Sequence, residues 1–351
     1  MERICASLQR AGHEVTLVGR VKTTSKELVE RPYAQHRIWC QYESGKAFYA
    51  EYNYRLVREL SSWDYDVICA VDVDTLAAGA ALTRADRHKL VFDAHEWFHM
   101  TPEVVNRPVI RGFWKGLART FIGRTDLRYT VAPLLADKLE EDYGRPFATV
   151  RNLPWRSDFP PAPVPAKKII LYQGMLNPGR GLEVAIAALD FLPDCELWLA
   201  GSGPEEGELR RCSELLEEPG RVKFLGFVDP AKLPELTRKA WLGLNLLDAV
   251  SPSYLYSLAN KALDYVQAGV PSVQMDFPEY RGLQERYGCY ALLRELKTEL
   301  LVQKISQLAS DQSSYDRLRK NCLAAAPELC WEREEQVLLD LYANLSKGAG
   351  F

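Results

Sequence analysis

The sequence lacks any apolar run approaching the roughly 20 residues that a membrane-crossing helix needs. It also lacks a charge imbalance. Its 44 Lys and Arg against 47 Asp and Glu leave −3, which gives no global reason to expect nucleic acid as a partner. Low-complexity tracts are absent, so the composition is that of an ordinary globular protein. None of the eight cysteines stands in the close spacing of a zinc knuckle or redox motif. Several sit inside apolar runs (DVICAV, DCELWLA), which fits buried thiols in a reducing cytoplasm. Neither half carries a clean G-x-G-x-x-G with a trailing acid, which argues against an oxidoreductase. The one Asp-x-Asp triplet, Asp72-Val73-Asp74, follows a strand pattern and suits substrate binding or helix capping better than a metal. No metal and no cofactor are therefore expected. Residues 1–10 are too short and too charged for a secretory leader, and the expected location is cytoplasmic.

What is present is alternation. In 351 residues, more than one core usually supports, short apolar runs alternate with longer amphipathic stretches. Strand patterns at 13–19, 66–71, 89–93, 127–131 and 147–151 have helical patterns between them, which predicts an α/β, doubly wound parallel sheet. Residues 152–166 hold five prolines, and proline continues neither helix nor sheet. The alternation then restarts, with strand patterns at 168–173, 196–200, 222–225, 242–247, 271–274 and 289–292. The predicted organisation is an N-terminal domain over 1–157, a second doubly wound domain over 158–330, and a closing amphipathic helix over 331–351. Two such domains leave a cleft at the carboxyl ends of their strands, where ligands bind in this architecture.

Two segments carry the chemistry. At 172–182, YQGMLNPGRGL, a strand ends, Gly174, Gly179 and Gly181 follow, and a helix is expected to start at Gly181. Glycines let backbone amides approach an anion, and Arg180 adds a permanent charge with two parallel donors, a pattern suited to a diphosphate. At 251–271, SPSYLYSLANKALDYVQAGVP, Lys261 occupies the first turn of a helix, where cations are disfavoured unless an anion lies nearby. Asp264 falls one turn past Asn260 on the same face, placed to accept the hydroxyls of a ribose.

With these residues in view, the chain resembles the family-4 retaining glycosyltransferases (group 1) of GT-B fold, two Rossmann-like domains facing a cleft with a C-terminal helix crossing back to the first. The resemblance rests on the order and spacing of Asp93-Ala94-His95-Glu96, Asn152-Leu153-Pro154, the YQG…GRGLE segment, Ala200-Gly201-Ser202-Gly203-Pro204, Phe224-Leu225-Gly226-Phe227-Val228, and Asn260-Lys261…Asp264-Tyr265…Ala268-Gly269-Val270-Pro271. It implies His95, Arg180 and Lys261 as catalytic residues. It implies donor contacts at Gly174, Gly179, Gly181, Gly203, Phe227, Tyr256, Asn260 and Asp264, and an acceptor side at Arg3, Asp72 and Glu96. The second acid of the family's Glu-x7-Glu pair falls on Asp264, but the first falls on Tyr256. The implied reaction moves a sugar from a nucleotide sugar to a glycan or lipid-linked acceptor with retention and without metal, as in polysaccharide biosynthesis. A non-catalytic sugar-nucleotide-binding or scaffold protein, or a sugar-nucleotide 2-epimerase, are the alternatives.

The resemblance also implies that the chain as given is incomplete at its amino end, since it opens on a helix where relatives have a strand. Residues 107–128 hold six basic residues and one acid, with Arg111, Lys115 and Arg119 in one helical stripe beside Phe113, Trp114, Leu117 and Phe121. That pattern is expected either to meet an anionic membrane surface or to turn its apolar face to the core.

Overall fold

In the computed structural model, residues 1–84, 87–160 and 163–346 are described; Pro161 and Ala162 of the proline-rich run lie outside them. The chain divides into two compact units, Met1–Arg151 with Arg333–Phe351, and Asn152–Glu332. The first division precedes the proline run instead of falling inside it.

The first unit opens with α1 (Glu2–Arg10), β1 (Thr16–Val21), β2 (Ala34–Trp39) and α2 (Gly45–Leu60). It continues through β3 (Val67–Val71), α3 (Val73–Leu82), β4 (Lys89–Ala94), α4 (Pro102–Val105), α5 (Pro108–Ile122), β5 (Leu127–Thr130), α6 (Pro133–Tyr143) and β6 (Ala148–Thr149). Strands β3-β4-β5-β6 form one parallel sheet, and β1-β2 form a separate parallel pair. Leu90, Val91 and Phe92 of β4 are fully buried, the continuous apolar run expected of a strand covered on both faces. β2 escapes a pattern search because Ala34-Gln35-His36-Arg37-Ile38-Trp39 buries only Ile38. Asn53 of α2 ties the two helices together, donating to Asp74 O at 2.7 Å and accepting from Ala78 N–H at 3.1 Å.

The second unit holds β7 (Lys168–Gln173), α7 (Leu182–Ala187), β8 (Cys195–Ala200), α8 (Glu206–Glu214), β9 (Val222–Gly226), α9 (Leu233–Thr237) and β10 (Leu242–Asn245). It ends with α10 (Pro252–Leu255), α11 (Asn260–Gln267), β11 (Ser272–Met275), α12 (Pro278–Tyr287), β12 (Tyr290–Leu293), α13 (Thr298–Ser310) and α14 (Gln312–Ala325). Its six strands are all parallel in the order β12-β11-β10-β7-β8-β9. The winding reverses between β7 and β10, and the carboxyl ends at such a reversal are where open α/β sheets bind ligands. Tyr265 of α11 secures that seam, its hydroxyl donating to Leu171 O at 2.9 Å and Leu244 O at 3.2 Å. Only glycine fits opposite it, since a Cβ on Gly243 would fall 2.5 Å from the Tyr265 ring.

The final helix, α15 (Trp331–Ser346), begins in the second unit, where Trp331 N–H donates to Pro154 O at 2.7 Å. From Arg333 onward it belongs to the first. Its buried Glu334 accepts from Arg151 N–H at 2.7 Å and from the Arg151 guanidinium at 2.6 Å; Glu335 pairs with Arg10, and the Tyr342 ring lies 6.4 Å from that of His13. Among the described residues no helix is long and apolar enough to cross a membrane.

Removing the Glu334 carboxylate strands a guanidinium and a backbone N–H that are largely shielded from water. Glu334→Ala is expected to destabilise the protein by about 2–3 kcal/mol, at or just below the range for breaking a buried pair because Arg151 keeps some exposure. Chemical denaturation of the two proteins checks this, and a loss under about 0.5 kcal/mol, the scale of an ordinary surface change, would contradict it.

Candidate functional site

The loop after β7 is shaped by contacts that only glycine permits. Gly174 has φ 133°, and its N–H donates to Ala200 O at 2.9 Å. Across from it, a Cβ on Gly201 would fall 1.8 Å from Gly174 O, and one on Gly203 would fall 2.4 Å from Leu176 O. The loops after β7 and β8 therefore interlock backbone to backbone, which is the visible reason for Gly203. The far end of the β7 loop locks onto the end of β10: Gly179 O accepts from Asp248 N–H at 2.9 Å, and a Cβ on Gly181 would fall 2.6 Å from Leu246 O. Arg180, between them, is held at the reversal of the sheet. The helix after Gly181 runs only six residues, so the electrostatics here rest on side-chain cations more than on a long helix dipole.

The Arg180 guanidinium sits 4.8 Å over the Tyr254 ring, and its Nε is buried without a hydrogen-bond partner. Lys261, in the first turn of α11, is buried as well. Its ammonium lies 4.8 Å over the Tyr172 ring, with Cε 3.4 Å from where a Cβ on Gly174 would stand. Tyr172 is fixed in turn by donating to Met175 O at 2.7 Å. Among the described residues Lys261 makes no ion pair or hydrogen bond. Burial first, and the nearby Arg180 charge second, pull its pKa from 10.5 down to about 7. Two cations thus rest on aromatic faces and keep their hydrogen-bonding capacity for something else.

Asp264, one turn on, accepts from Gln173 Nε2 at 2.8 Å, and Gln173 Oε1 accepts from the Thr237 hydroxyl at 2.7 Å. Asn260 Oδ1 accepts from Asn152 Nδ2 at 3.0 Å. Tyr256 ends α10 and is half-buried, while Phe227, just past β9, is largely exposed. The structure therefore brings Gly174, Gly179, Arg180, Gly181, Lys261 and Asp264 to one end of one sheet. Sequence reading missed Tyr172, Tyr254 and Gln173.

In the first unit, a second polar group gathers at the ends of β3 and β4. Asp93 is buried, with one carboxylate oxygen 3.2 Å from both the Tyr129 hydroxyl and His95 Nε2, the latter out of line for a hydrogen bond. The Asp72 side chain caps no helix; it accepts from His95 N–H at 2.8 Å, which corrects the capping expectation. Asp72 is also the one described non-glycine residue with positive φ, at 57°. Burial raises the Asp72 pKa to about 8 and that of Asp74 to about 6. Burial works against a charged His95, but the Asp93 and Asp72 carboxylates outweigh it and raise its pKa. Glu96 is exposed, and Arg3 is half-buried on α1. Among the described residues no three His, Cys, Asp or Glu side chains are grouped to hold a metal.

The basic stripe of α5 is largely committed elsewhere. Lys115 Nζ lies 2.5 Å from buried Asp142, and Arg119 donates to Asp142 O at 3.0 Å. Trp114 is buried between Tyr49 and Phe98. Val109, Ile110 and Phe113, at the start of the helix, are exposed.

Comparison with known proteins fits this geometry. A model of Glycosyltransferase Family 4 matches residues 1–154, and one of Glycosyl transferases group 1 matches residues 155–324. Sucrose-phosphate synthase from Thermosynechococcus elongatus superposes with a TM-score of 0.81 at 17% identity, over 99% of this chain and 92% of that one. HepE of Anabaena, solved in complex with UDP-glucose, gives 0.73 at 19% identity, over 89% and 86%. A glycosyltransferase from Rickettsia africae gives 0.72 at 12%, over 98% and 93%. No protein of curated function matches the sequence. The fold is GT-B, and the chain belongs to the family 4, group 1 glycosyltransferases.

The buried lysine makes stability depend on pH. Between pH 7 and 10.5 the unfolded chain holds a proton that folded Lys261 has released, so its contribution to stability rises with pH across that window and is flat below it. Lys261→Met is expected to remove that rise and to stabilise the ligand-free protein at pH 7. Urea denaturation at pH 7, 8 and 9 measures both, and an unchanged slope in the variant would assign the rise to another group.

Proposed function

We propose that the chain moves a sugar from a nucleoside-diphosphate sugar to a glycan or lipid-linked acceptor, with retention and without a metal or cofactor. The observation that carries this is the buried Lys261 ammonium beside Arg180, with no carboxylate paired to it. A diphosphate supplies the missing counter-charge. In this reading Arg180 and Lys261 grip the diphosphate and stabilise the charge that grows on it as the glycosidic bond breaks. Asp264, oriented by Gln173, takes the ribose hydroxyls. His95 faces the transferred sugar, the leaving diphosphate helps to remove the acceptor proton, and Asp72, Glu96 and Arg3 serve the acceptor. The UDP-glucose bound by HepE makes UDP-sugars the first donors to test.

Tyr256, where relatives carry an acid, favours a second reading in which the chain binds a sugar nucleotide without transferring the sugar. Donor hydrolysis or transfer separates the two, and product anomers resolved by NMR test retention. Thermal shifts against UDP-, GDP- and ADP-sugars find the donor, since a ligand that binds only the folded state stabilises it.

A peripheral membrane role belongs to the same proposal, carried now by the exposed Val109, Ile110 and Phe113 with Arg107 and Arg111. Vesicle co-sedimentation that requires anionic lipid and falls with salt supports it, and equal binding to neutral vesicles, or none, refutes it.

Arg180→Ala is expected to weaken nucleoside-diphosphate binding by roughly 1.5–3 kcal/mol, the scale of hydrogen bonds to charged groups. Titration calorimetry reads this directly, and unchanged affinity would remove Arg180 from the diphosphate site.

A further inference from the structure

β12 is the end strand of its sheet and pairs only with β11, so one of its edges has no neighbouring strand. Residues along a strand in a parallel ladder turn their N–H and C=O groups to the two edges alternately. Leu293 O accepts from Asp276 N–H at 2.9 Å on the β11 side, which assigns Tyr290 and Leu292 to the open side. Gln284 Oε1 accepts from Tyr290 N–H there at 2.7 Å, and Leu292 N–H is presented to the same side. That edge borders a cavity of about 410 Å³ between α12, α13 and α14. Ala291, Leu308 and Leu318, each buried, supply its apolar lining.

Three cations from three elements line the same cavity: Arg294 just past β12, Lys304 on α13 and Arg317 on α14. Among the described residues Arg294 and Lys304 make no hydrogen bond or ion pair, and Arg317 donates to Ser314 Oγ at 3.3 Å. Asp276 is the one acid in the lining, and Arg281 already holds it at 2.8 Å. Asp311, which feels the Arg317 charge, is committed to capping α14, accepting from Ser314 N–H at 3.0 Å and from the Ser314 hydroxyl at 2.6 Å. The α5 cations are placed differently, since Lys115 and Arg119 are drawn onto Asp142. Like charges repel, so three of them around one hollow gain from an anion that joins them.

We propose that this cavity binds a small organic phosphate. Arginine forks match phosphate oxygens two at a time, and a lysine adds a compact charge. A phosphate monoester carries about −1.5 to −2 near neutral pH, enough to meet two of the three cations, where a single carboxylate meets one. The Leu292 N–H adds a donor from the strand edge. The apolar lining takes the carbon skeleton, which selects an organic phosphate over the inorganic ion. β12 lies two strands beyond β10, and none of the residues assigned to the nucleotide lines the cavity. This site and the proposed transfer reaction therefore stand or fall apart.

The test follows amide exchange in the full chain, with phenyl phosphate as the probe and inorganic phosphate and phenol as controls. Phenyl phosphate is expected to slow exchange at residues 292–294 and around Lys304 and Arg317. Its affinity, titrated through the same amides, should fall with added salt. Lys304→Gln and Arg317→Gln are each expected to weaken it about tenfold, the scale of one hydrogen bond to a charged group. Arg180→Ala should leave it unchanged. Unaltered exchange over Lys168–Gln173 shows in the same run that the variants are folded. Protection confined to the loop after β7, and lost in Arg180→Ala, would put the phosphate in the donor site and overturn the proposal. Equal protection by inorganic phosphate would leave an adventitious ion only, and equal protection by phenol would leave an apolar crevice; either overturns it. So would an absence of protection at β12, or unchanged affinity in both cavity variants.

Discussion

A buried lysine that makes no ion pair among the described residues, with Asp264 as its one nearby carboxylate offset by the Arg180 charge, is the constraint around which the second unit is arranged. Such a charge costs several kcal/mol even after relaxation, and the protein meets part of that cost with the Tyr172 face and part by letting the pKa fall to about 7. Neither device supplies an anion. Gly174 leaves room for the lysine stem, Tyr172 is locked through Met175 O, and Tyr265 rivets the two strands whose ends support the whole group. Each of these residues is explained by its place around Lys261 and Arg180. A hydrophobic residue at 261 would satisfy the fold better, so the lysine points to a ligand and not to stability.

Part of this was legible in the sequence. Arg180 stood among glycines after an apolar run, and Lys261 stood at the wrong end of a helix, where local rules already make a cation odd. Asp264 followed from helical spacing. The aromatic seats were not legible, because a tyrosine in a strand or a short helix reads as core until its neighbours are known. Gln173 was hidden for the same reason: its partners Thr237 and Asp264 are far away in sequence. The alternation of apolar runs gave two doubly wound units, but β2 passed unnoticed since its pattern is polar on both faces.

The α5 stripe shows where a periodic pattern stops being informative. A period of four does place Arg111, Lys115 and Arg119 on one side of a helix, but periodicity is silent about what faces that side. Asp142 of α6, buried beside His99 at 2.9 Å and Trp97 at 3.0 Å, draws in Lys115 as a third partner and holds its own pKa far below the usual carboxylate range. That network packs α5 onto its own domain. The surface left free is the first turn of the helix, where the large side chains are apolar.

The group around His95 differs from the Asp142 network in a telling way. Asp142 is buried and well partnered by cations, as a structural carboxylate should be. Asp93 is buried and Asp72 half-buried beside one imidazole, with half-buried Asp74 acting on Asp72; Asp72 and Asp74 have raised pKa values, and one Asp93 oxygen has no partner among the described residues. Asp72 also holds a backbone at φ 57° and ψ 172° that essentially only glycine adopts without strain. Packing alone rewards none of this: like charges crowd, a hydrogen-bonding atom goes unused, and a residue is strained. Strain and unmet polarity that persist together at the carboxyl end of a parallel sheet are what an active-site group shows, and on that ground we propose His95 as the residue that faces the transferred sugar.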